Sequence, residues 1–143
     1  MAAETWLEEL SEAACQHLLK TATIGRLGVV VDGRPQIFPV NHVVDEETGS
    51  VVFPTNARTK LRGAIEGPSV AFEVDGVDAG GQSAWSVVVV GQVEDITGSD
   101  EAGRATERRV PLWAVGDYTH WVRIVAERIT GRRISIIPAT AER

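Results

Sequence analysis

The chain has 143 residues, of which 43% are hydrophobic and 24% charged, a composition that predicts one globular domain and excludes wholesale disorder. Its 20 acidic residues outnumber its 14 lysines and arginines, and the resulting net charge of −6 argues against a broad basic surface for nucleic acid. The sequence has no apolar run of the ~20 residues that a spanning helix needs, and its acidic start MAAETWLEEL does not resemble a secretory signal. Cys15 is its single cysteine, so no internal disulfide is expected. Together these features favour a cytoplasmic protein.

The charge is distributed unevenly along the chain. Residues 123–143 carry five arginines against two glutamates, a local charge of +3, which leaves −9 on the other 122 residues. Such a basic segment could attract a phosphate or an acidic partner surface, or it could be the solvated ends of final strands, and the sequence leaves these alternatives open.

One helix is predicted in the N-terminal part of the chain. Residues 1–10 are expected to form a short helix or a loosely held arm. Ser11 predicts the N-cap of a helix that ends near Lys20, with Glu12 favourable in its first turn. Cys15 on this helix is interpreted as a small core residue rather than a reactive thiol.

The next segment has the composition of strands. TIGRLGVVV is rich in β-branched residues, and Asp32-Gly33 after it is a strong hairpin signal. RPQIFPVNHVV follows as a second strand, in which Pro35 and Pro39 indicate an edge or a bulge because proline cannot donate to a ladder. SVVFPT is the third predicted strand.

The second half continues the pattern. After the helix-compatible stretch NARTKLRGAIEG, SVAFEVD is a fourth strand and SAWSVVVVGQVEDI a fifth, with Gly91 as a predicted bulge. Ser99 predicts an N-cap for a helix over about residues 100–109, and a short helical turn is expected from Pro111. HWVRIVAERIT and RRISIIP give one or two last strands. About six short antiparallel strands with flanking helices predict a mainly β fold, and a barrel rather than a sandwich.

The first candidate site is the turn FPTNARTKLRG at residues 53–63. A strand here gives way to a short helix, whose free N–H groups and partial positive charge suit a phosphate. Hydroxyl, amide and cationic side chains surround that point: Thr55, Asn56, Arg58, Thr59, Lys60 and Arg62. The alternative is a capped surface helix with a solvated basic face.

The second candidate site is the strand at residues 34–43, where two prolines leave backbone groups unpaired. Such a strand can offer backbone hydrogen bonds to a planar heterocycle, with Asn41 and His42 as side-chain donors. A strand histidine without a catalytic part is the alternative for His42, because no acidic residue is placed to orient it.

The aromatic residues are a third candidate feature. Trp85, Trp113, Tyr118 and Trp121 could wall a flavin, but core or interface packing is the default for each. We find no zinc-ligand spacing, nucleophile elbow, dinucleotide fingerprint or phosphate-binding glycine loop. No metal site and no specific catalytic residue are therefore predicted.

The order of these motifs carries a resemblance to a known family. The strand RPQIFPVNH after the Asp-Gly hairpin, the turn FPTNARTK and the closing HWVRIVAERITGRRI resemble the pyridoxamine 5′-phosphate oxidase-like FMN-binding split-barrel superfamily. The similarity covers about residues 11–137 and points to the small bacterial branch that includes nitroimidazole-resistance-type proteins. It implies a six-stranded antiparallel Greek-key split barrel over residues 1–143, with 138–143 as a C-terminal tail, and a homodimer with two flavin sites at the subunit interface.

The resemblance also implies a site and a function. FMN phosphate would bind Thr55 and Lys60, with Arg58 as an addition. The isoalloxazine would lie along the backbone of Pro39, Val40, Asn41 and His42, and the partner subunit would add Trp85, Ser86, Trp121 and Arg123. The implied function is a flavin-dependent oxidoreductase acting on an unidentified small molecule. The alternatives are a deazaflavin-dependent reductase and a non-catalytic flavin- or haem-binding protein. The substrate-phosphate arginine and histidine pattern of the vitamin-synthesis oxidase is not recognisable, so pyridoxamine phosphate oxidation is not expected.

Overall fold

A computed structural model describes residues 4–55, 67–108 and 120–137 of the chain. In these residues eight strands form one curled antiparallel sheet flanked by two helices. The strands are β1 (Glu4–Glu9), β2 (Ile24–Val31), β3 (Arg34–Asn41), β4 (Val43–Val44), β5 (Val51–Thr55), β6 (Val70–Val77), β7 (Ser83–Asp95) and β8 (His120–Ile137), and the helices are α1 (Glu12–Thr21) and α2 (Asp100–Glu107). Neither described helix is long and apolar enough to cross a membrane.

The sheet has the strand order β3-β2-β6-β7-β8-β5-β4, and β1 also pairs with β8. β8 is the longest strand, at 18 residues. One of its sides pairs with β7, while the other pairs first with β5 and then with β1. The mainly β, antiparallel split-barrel prediction is confirmed, although the described residues form eight strands instead of six. One added strand comes from the N-terminus, and another arises because the chain bends at His42 between β3 and β4.

The expectation of a short helix or a loosely held arm over residues 1–10 is wrong, because Glu4–Glu9 is a strand. It pairs with the distal half of β8, with Trp6 opposite Ser135 and Leu7 opposite Ile134. Pairing with an otherwise open strand edge satisfies backbone groups on both segments, and this tertiary gain overrides the local preference of an acidic, leucine-containing sequence.

Several local predictions are confirmed. Ser11 and Ser99 cap α1 and α2, since their side-chain oxygens accept from the amides of Ala14 and Ala102, each at 3.1 Å. Asp32 and Gly33 both have positive φ, 51° and 74°, as a type I′ hairpin turn requires. The β7–β8 register shifts between Val90 and Gly91, and a Cβ on Gly91 would lie 2.1 Å from the carbonyl oxygen of Val125.

The hydrophobic core lies on the concave, inner face of the curled sheet. Phe53 and Phe72 are completely buried there together with Leu19 of α1. Cys15 belongs to the same cluster, where burial raises the pKa of its thiol, so its interpretation as a core residue is confirmed. A smaller cluster on the opposite, outer face joins Ala102 and Ala105 of α2 to β5. β5 is therefore buried on both faces.

Candidate functional site

The barrel seam is the place where β3 and β5 approach each other across the open side of the curled sheet. Val43 pairs with Val52 and Val44 with Val51. Extending this antiparallel register toward β3 places residues 40–42 opposite residues 53–55. The fold thus brings two separate predicted site segments, Pro39–His42 and Thr55, to one seam.

Thr55 is the last residue of β5 and the main polar group of the seam. It is only 3% exposed, and its Oγ1 has no hydrogen-bond partner among the described residues. Its Cα partner on β8 is His120, and both side chains lie on the inner face because directly opposed residues of an antiparallel pair share a face. A buried hydroxyl without a partner is costly, so it marks a position where a ligand atom can bind.

His42 is also buried at the seam, at 3% exposure. Its Nε2 lies 2.9 Å from the carbonyl oxygen of Leu19, so Nε2 carries the proton and donates. Its ring meets Phe72 edge to face at a centroid distance of 4.9 Å, and burial lowers its pKa. His42 is therefore a neutral core residue whose ring joins α1 to the segment between β3 and β4. Its backbone amide donates to the carbonyl oxygen of Thr23 at 3.3 Å, whereas its ring Nδ1 is buried and has no hydrogen-bond partner among the described residues.

His120, opposite Thr55, was not singled out by the sequence analysis. Its Nδ1 lies 3.4 Å from Oδ2 of Asp95. Hydrogen bonds from Thr97 hold the pKa of Asp95 below its usual range, with a further contribution from His120. The sequence gives no signal for this pair, because only the β7–β8 and β5–β8 registers bring Asp95 and His120 to the same end of the sheet.

The four residues predicted to come from a partner subunit lie on different faces. Trp85 packs against the inner core, whereas Ser86, the next residue of β7, points to the outer face by strand alternation. Trp121 packs on the outer face in the α2 cluster, and Arg123 lies on that same face, as its spacing predicts. Within one chain, the fold does not gather these four side chains around Thr55.

A second polar cluster, the α2 network, lies at the other end of β5. Arg104 of α2 donates through Nε and Nη2 to the two carboxylate oxygens of Asp45, at 2.8 and 3.0 Å. The Thr48 hydroxyl lies 2.9 Å from Asp45 Oδ2 and 2.5 Å from Oε2 of the buried Glu101. Arg123 donates to Glu101 Oε1 at 3.1 Å and also to Glu94 on β7.

The α2 network fixes the helix to the sheet. The Arg104 guanidinium beside Asp45 holds the pKa of that carboxyl well below its usual range. Hydrogen bonds to Glu94 raise the pKa of Arg123, with Glu101 adding to the effect. Because its charges are already matched within the chain, we interpret this cluster as structural. The sequence analysis missed Asp45, Thr48 and Arg104; the spacing of three between Glu101 and Arg104, on one helix face, was the available signal.

A cleft of about 340 Å³ lies beside the α2 network, between α1 and β8. Gln16, Leu19, Ser50, Arg123 and Ile129 are among its lining residues. No residue of the barrel seam lines it, so this cleft and the candidate site are separate places. Among the described residues, no group of three or more His, Cys, Asp or Glu side chains could hold a metal ion.

Several predicted site residues lie outside the described part of the chain. Arg58 and Lys60, together with Asn56, Thr59 and Arg62, belong to residues 56–66. Trp113, Tyr118 and the helical turn from Pro111 belong to residues 109–119. The segment 56–66 follows Thr55 directly, so the described part of the predicted phosphate turn ends at the buried Thr55 hydroxyl.

Comparison with known proteins places this architecture in a family. The sequence profile of the pyridoxamine 5′-phosphate oxidase family matches residues 11–133. A Mycobacterium tuberculosis protein, Rv0080, is 30% identical over 131 residues, which cover 88% of this chain and 84% of that protein.

Solved structures show the same fold. The FAD binding protein from Mycobacterium smegmatis is 36% identical, with a TM-score of 0.71, and the match covers 88% of this chain and 98% of that one. A FAD-binding protein from Mesorhizobium loti superposes with a TM-score of 0.77 over 92% of this chain and 99% of that one, at 22% identity. At that identity the second match speaks for the fold alone.

Proposed function

Since the chain belongs to the pyridoxamine 5′-phosphate oxidase family, we propose that it binds FMN and acts as a flavin-dependent oxidoreductase on a small molecule. The observation that carries the proposal is the buried Thr55 hydroxyl, which has no partner among the described residues. It directly precedes the segment 56–66, in which the sequence predicts a phosphate-binding turn with Arg58 and Lys60. Hydroxyl and cationic donors together are what a phosphate monoester requires.

The flavin ring would lie along the strand side of the seam. Pro39 has no amide hydrogen and stands opposite Arg26 on β2, and β3 is at the end of the sheet order. Backbone groups of successive strand residues point to alternate sides, and the His42 amide donates to Thr23 on the β2 side. The carbonyl of Pro39 and the carbonyl and amide of Asn41 therefore point away from β2, whereas those of Val40 point toward it. The groups that point away from β2 are those that a planar heterocycle with alternating donors and acceptors needs.

The chemistry of such a protein belongs largely to the cofactor. A bound flavin supplies hydride and electron transfer, and the protein supplies binding, orientation and exclusion of water. The seam is consistent with this role, because the His42 ring is neutral and its Nε2–H donates to the carbonyl oxygen of Leu19. A catalytic acid or base from this chain is therefore not part of the proposal.

The homodimer belongs to the same proposal. Ser86, Trp121 and Arg123 lie on the outer face of the sheet, away from Thr55 of their own chain, so any contact of theirs with a flavin would be with one held by a second subunit. Trp85 points to the opposite face of the sheet from Ser86. A flavin bound on one face could therefore contact only one of these two side chains.

The phosphate assignment is tested by titrating FMN, FAD and riboflavin into the wild type and into Thr55→Val. The exchange removes one hydroxyl and keeps the side-chain volume. We expect the FMN affinity to fall about 10-fold, the loss of one charge-assisted hydrogen bond, while riboflavin, which lacks the phosphate, binds both proteins equally. Thr48→Val is the matched control, since its hydroxyl belongs to the α2 network, and it should leave FMN affinity unchanged. Overlaying FMN curves for Thr55→Val and the wild type would contradict the assignment.

The identity of the cofactor is tested by mass spectrometry of the small molecule that the natively purified protein releases on denaturation. FMN supports the proposal. FAD would keep a flavin and follow the relative that is 36% identical. A deazaflavin or haem would replace the proposal by one of its alternatives. Anaerobic reduction of the bound flavin by a nicotinamide donor, followed by reoxidation by an added acceptor, separates an oxidoreductase from a non-catalytic binding protein.

A further inference from the structure

Thr55 and His120 form a pair of polar side chains at one end of the inner face. They are directly opposed across β5 and β8, and the Cβ atoms of such a pair lie about 4.5–5.5 Å apart. The Oγ1 of Thr55 and the Nδ1 of His120 are both buried, and neither has a hydrogen-bond partner within residues 4–55, 67–108 and 120–137. The proposed phosphate contact uses the Thr55 hydroxyl but leaves the imidazole beside it without a role.

Asp95, the last residue of β7, fixes the orientation of this imidazole. Asp95 is opposite the inner-face core residue Val122, so its carboxylate and the His120 ring lie on the same face of the sheet. Its Oδ2 lies 3.4 Å from His120 Nδ1. Hydrogen bonds from Thr97 hold the pKa of Asp95 below its usual range. The carboxylate is therefore ionised at neutral pH and favours a proton on Nδ1.

The second ring nitrogen of His120, Nε2, is directed toward β5. β8 lies between β7 and β5 in the sheet, so the ring has Asp95 on one side and Thr55 on the other. The two nitrogens of an imidazole point in nearly opposite directions, and Nδ1 is turned toward Asp95. A phosphate that accepts from the Thr55 hydroxyl would therefore have a second oxygen near Nε2.

A phosphate monoester is the group that suits this nitrogen best. Its second pKa is about 6, so it exchanges a proton near neutral pH, and the hydrogen bond to Nε2 forms whether the ring or the phosphate carries that proton. A phosphate linked on both sides has no such proton and carries less negative charge, so it can accept only from a ring that is already charged. FMN ends in a monoester, whereas each phosphate of FAD is linked on both sides.

We propose that His120, positioned by Asp95, is a second phosphate ligand of the seam and makes it select the monoester of FMN over FAD. This rests on the proposed function, because it requires a flavin phosphate at Thr55. His120 would contact the cofactor, whereas Asp95 is a positioning residue that acts through His120. If the ion pair only held β7 to β8, its removal would change stability without changing the preference among flavins.

The test is a titration of FMN, FAD and riboflavin into the full-length variants, read by flavin fluorescence. In His120→Asn the amide nitrogen replaces Nδ1 and nothing replaces Nε2. We expect the FMN affinity to fall about 10-fold, the loss of one charge-assisted hydrogen bond, the FAD affinity to fall by less, and the riboflavin affinity to stay unchanged. His120→Gln places its amide nitrogen near the position of Nε2 and should recover part of the FMN affinity.

Asp95→Asn tests the positioning residue. It keeps the shape of the side chain and an acceptor for Thr97, but it removes the charge beside Nδ1. The FMN affinity should fall by less than in His120→Asn, again without a change for riboflavin. His17→Gln is the matched control, because it exchanges an exposed histidine of α1. The phosphorus NMR signal of bound FMN should move in His120→Asn and stay in place in His17→Gln, and a purely structural ion pair would leave it unmoved in both.

Riboflavin separates a local effect from a folding defect, because a misfolded variant loses all three ligands, and Asp95→Asn then decides. An FMN-to-riboflavin affinity ratio unchanged in both His120→Asn and Asp95→Asn would overturn the role of His120 and leave the flavin site in place. Equal FMN and FAD affinities in the wild type would overturn the selection of the monoester. A wild type that binds FMN no more tightly than riboflavin would instead remove the phosphate assignment, and the proposed function with it.

Discussion

The two ends of β5 differ in whether a threonine hydroxyl has a hydrogen-bond partner. Near its first residue lies the α2 network, in which the carboxylates of Asp45 and Glu101 each contact an arginine. The Thr48 hydroxyl there lies within hydrogen-bond distance of both carboxylates. At its last residue, the buried Thr55 hydroxyl has no partner among the described residues. The strand separating them is only five residues long.

This difference distinguishes a structural cluster from a binding site. Burying a polar group without a partner costs free energy, so folded proteins satisfy nearly all such groups internally. The two buried carboxylates and the Thr48 hydroxyl of the α2 network follow that rule and hold the helix on the sheet. Thr55 departs from it at the entrance to the predicted phosphate turn, and a ligand oxygen would remove the cost. Substitutions at the two ends should therefore change different properties of the protein.

The largest effect on stability is expected for Glu101→Leu in the α2 network, the end of β5 at which the buried carboxylates have partners. This change keeps the volume of a residue that is 5% exposed but removes its contacts with Thr48 and Arg123. We expect the free energy of unfolding to fall by about 2–3 kcal/mol, since charge-assisted hydrogen bonds are lost and Arg123 keeps only Glu94. Urea denaturation at pH 7 measures the change.

The control for that prediction is Glu107→Leu on the same helix. Glu107 is exposed, and exposed substitutions of this kind usually stay within about 0.5 kcal/mol. An equal loss of stability in both variants would mean that any glutamate-to-leucine exchange on α2 destabilises the protein, and that the contacts of Glu101 do not hold the helix on the sheet.

A smaller, pH-dependent effect is expected for His42→Gln. Burial lowers the pKa of His42 in the folded protein below the value of the unfolded chain, so between these two values the unfolded state binds more protons. Stability is then complete above about pH 6.5 and falls as the pH drops below it, by at most about 1.4 kcal/mol per pH unit. His42→Gln should flatten this slope between pH 7 and pH 5.

His17→Gln is the matched control, because His17 lies exposed on α1. It should keep the wild-type slope. A slope that is unchanged in His42→Gln but lost in His17→Gln would show that the acid sensitivity comes from the helix surface and not from the barrel core.

The elements with strong local signals were predictable from the sequence. The Asp32-Gly33 turn, the serine caps and the Gly91 bulge depend on residues close in the chain, and all three are confirmed. Strand β1 was not predictable in this way, because its conformation depends on the free edge of β8 more than 120 residues later. Local propensity does not contain that partner.

The candidate site was predictable only in part. Strand alternation correctly put Trp121 and Arg123 on one face, but it did not reveal that Arg123 already has Glu94 and Glu101 as partners. The opposition of His120 to Thr55 follows from the β5–β8 register, which no motif in the sequence encodes. The sequence pattern indicates residue types that suit a phosphate. The fold adds that the Thr55 hydroxyl among them is buried and has no partner among the described residues.

The smallest effect on stability is expected at the unsatisfied end, where it is the most informative. Thr55→Val replaces a buried hydroxyl that has no described partner by a methyl group, so the free energy of unfolding without cofactor should stay within about 0.5 kcal/mol of the wild type or rise. Thr48→Val makes the same chemical change at the satisfied end and should lower it by about 1–2 kcal/mol. Adding FMN should then raise the melting temperature of Thr48→Val by as much as that of the wild type, and that of Thr55→Val by less, because the stabilisation follows the affinity for the folded state. If Thr55→Val instead loses as much stability as Thr48→Val without cofactor, its hydroxyl is satisfied within the chain, and the contrast between the two ends of β5 no longer supports a phosphate at the seam.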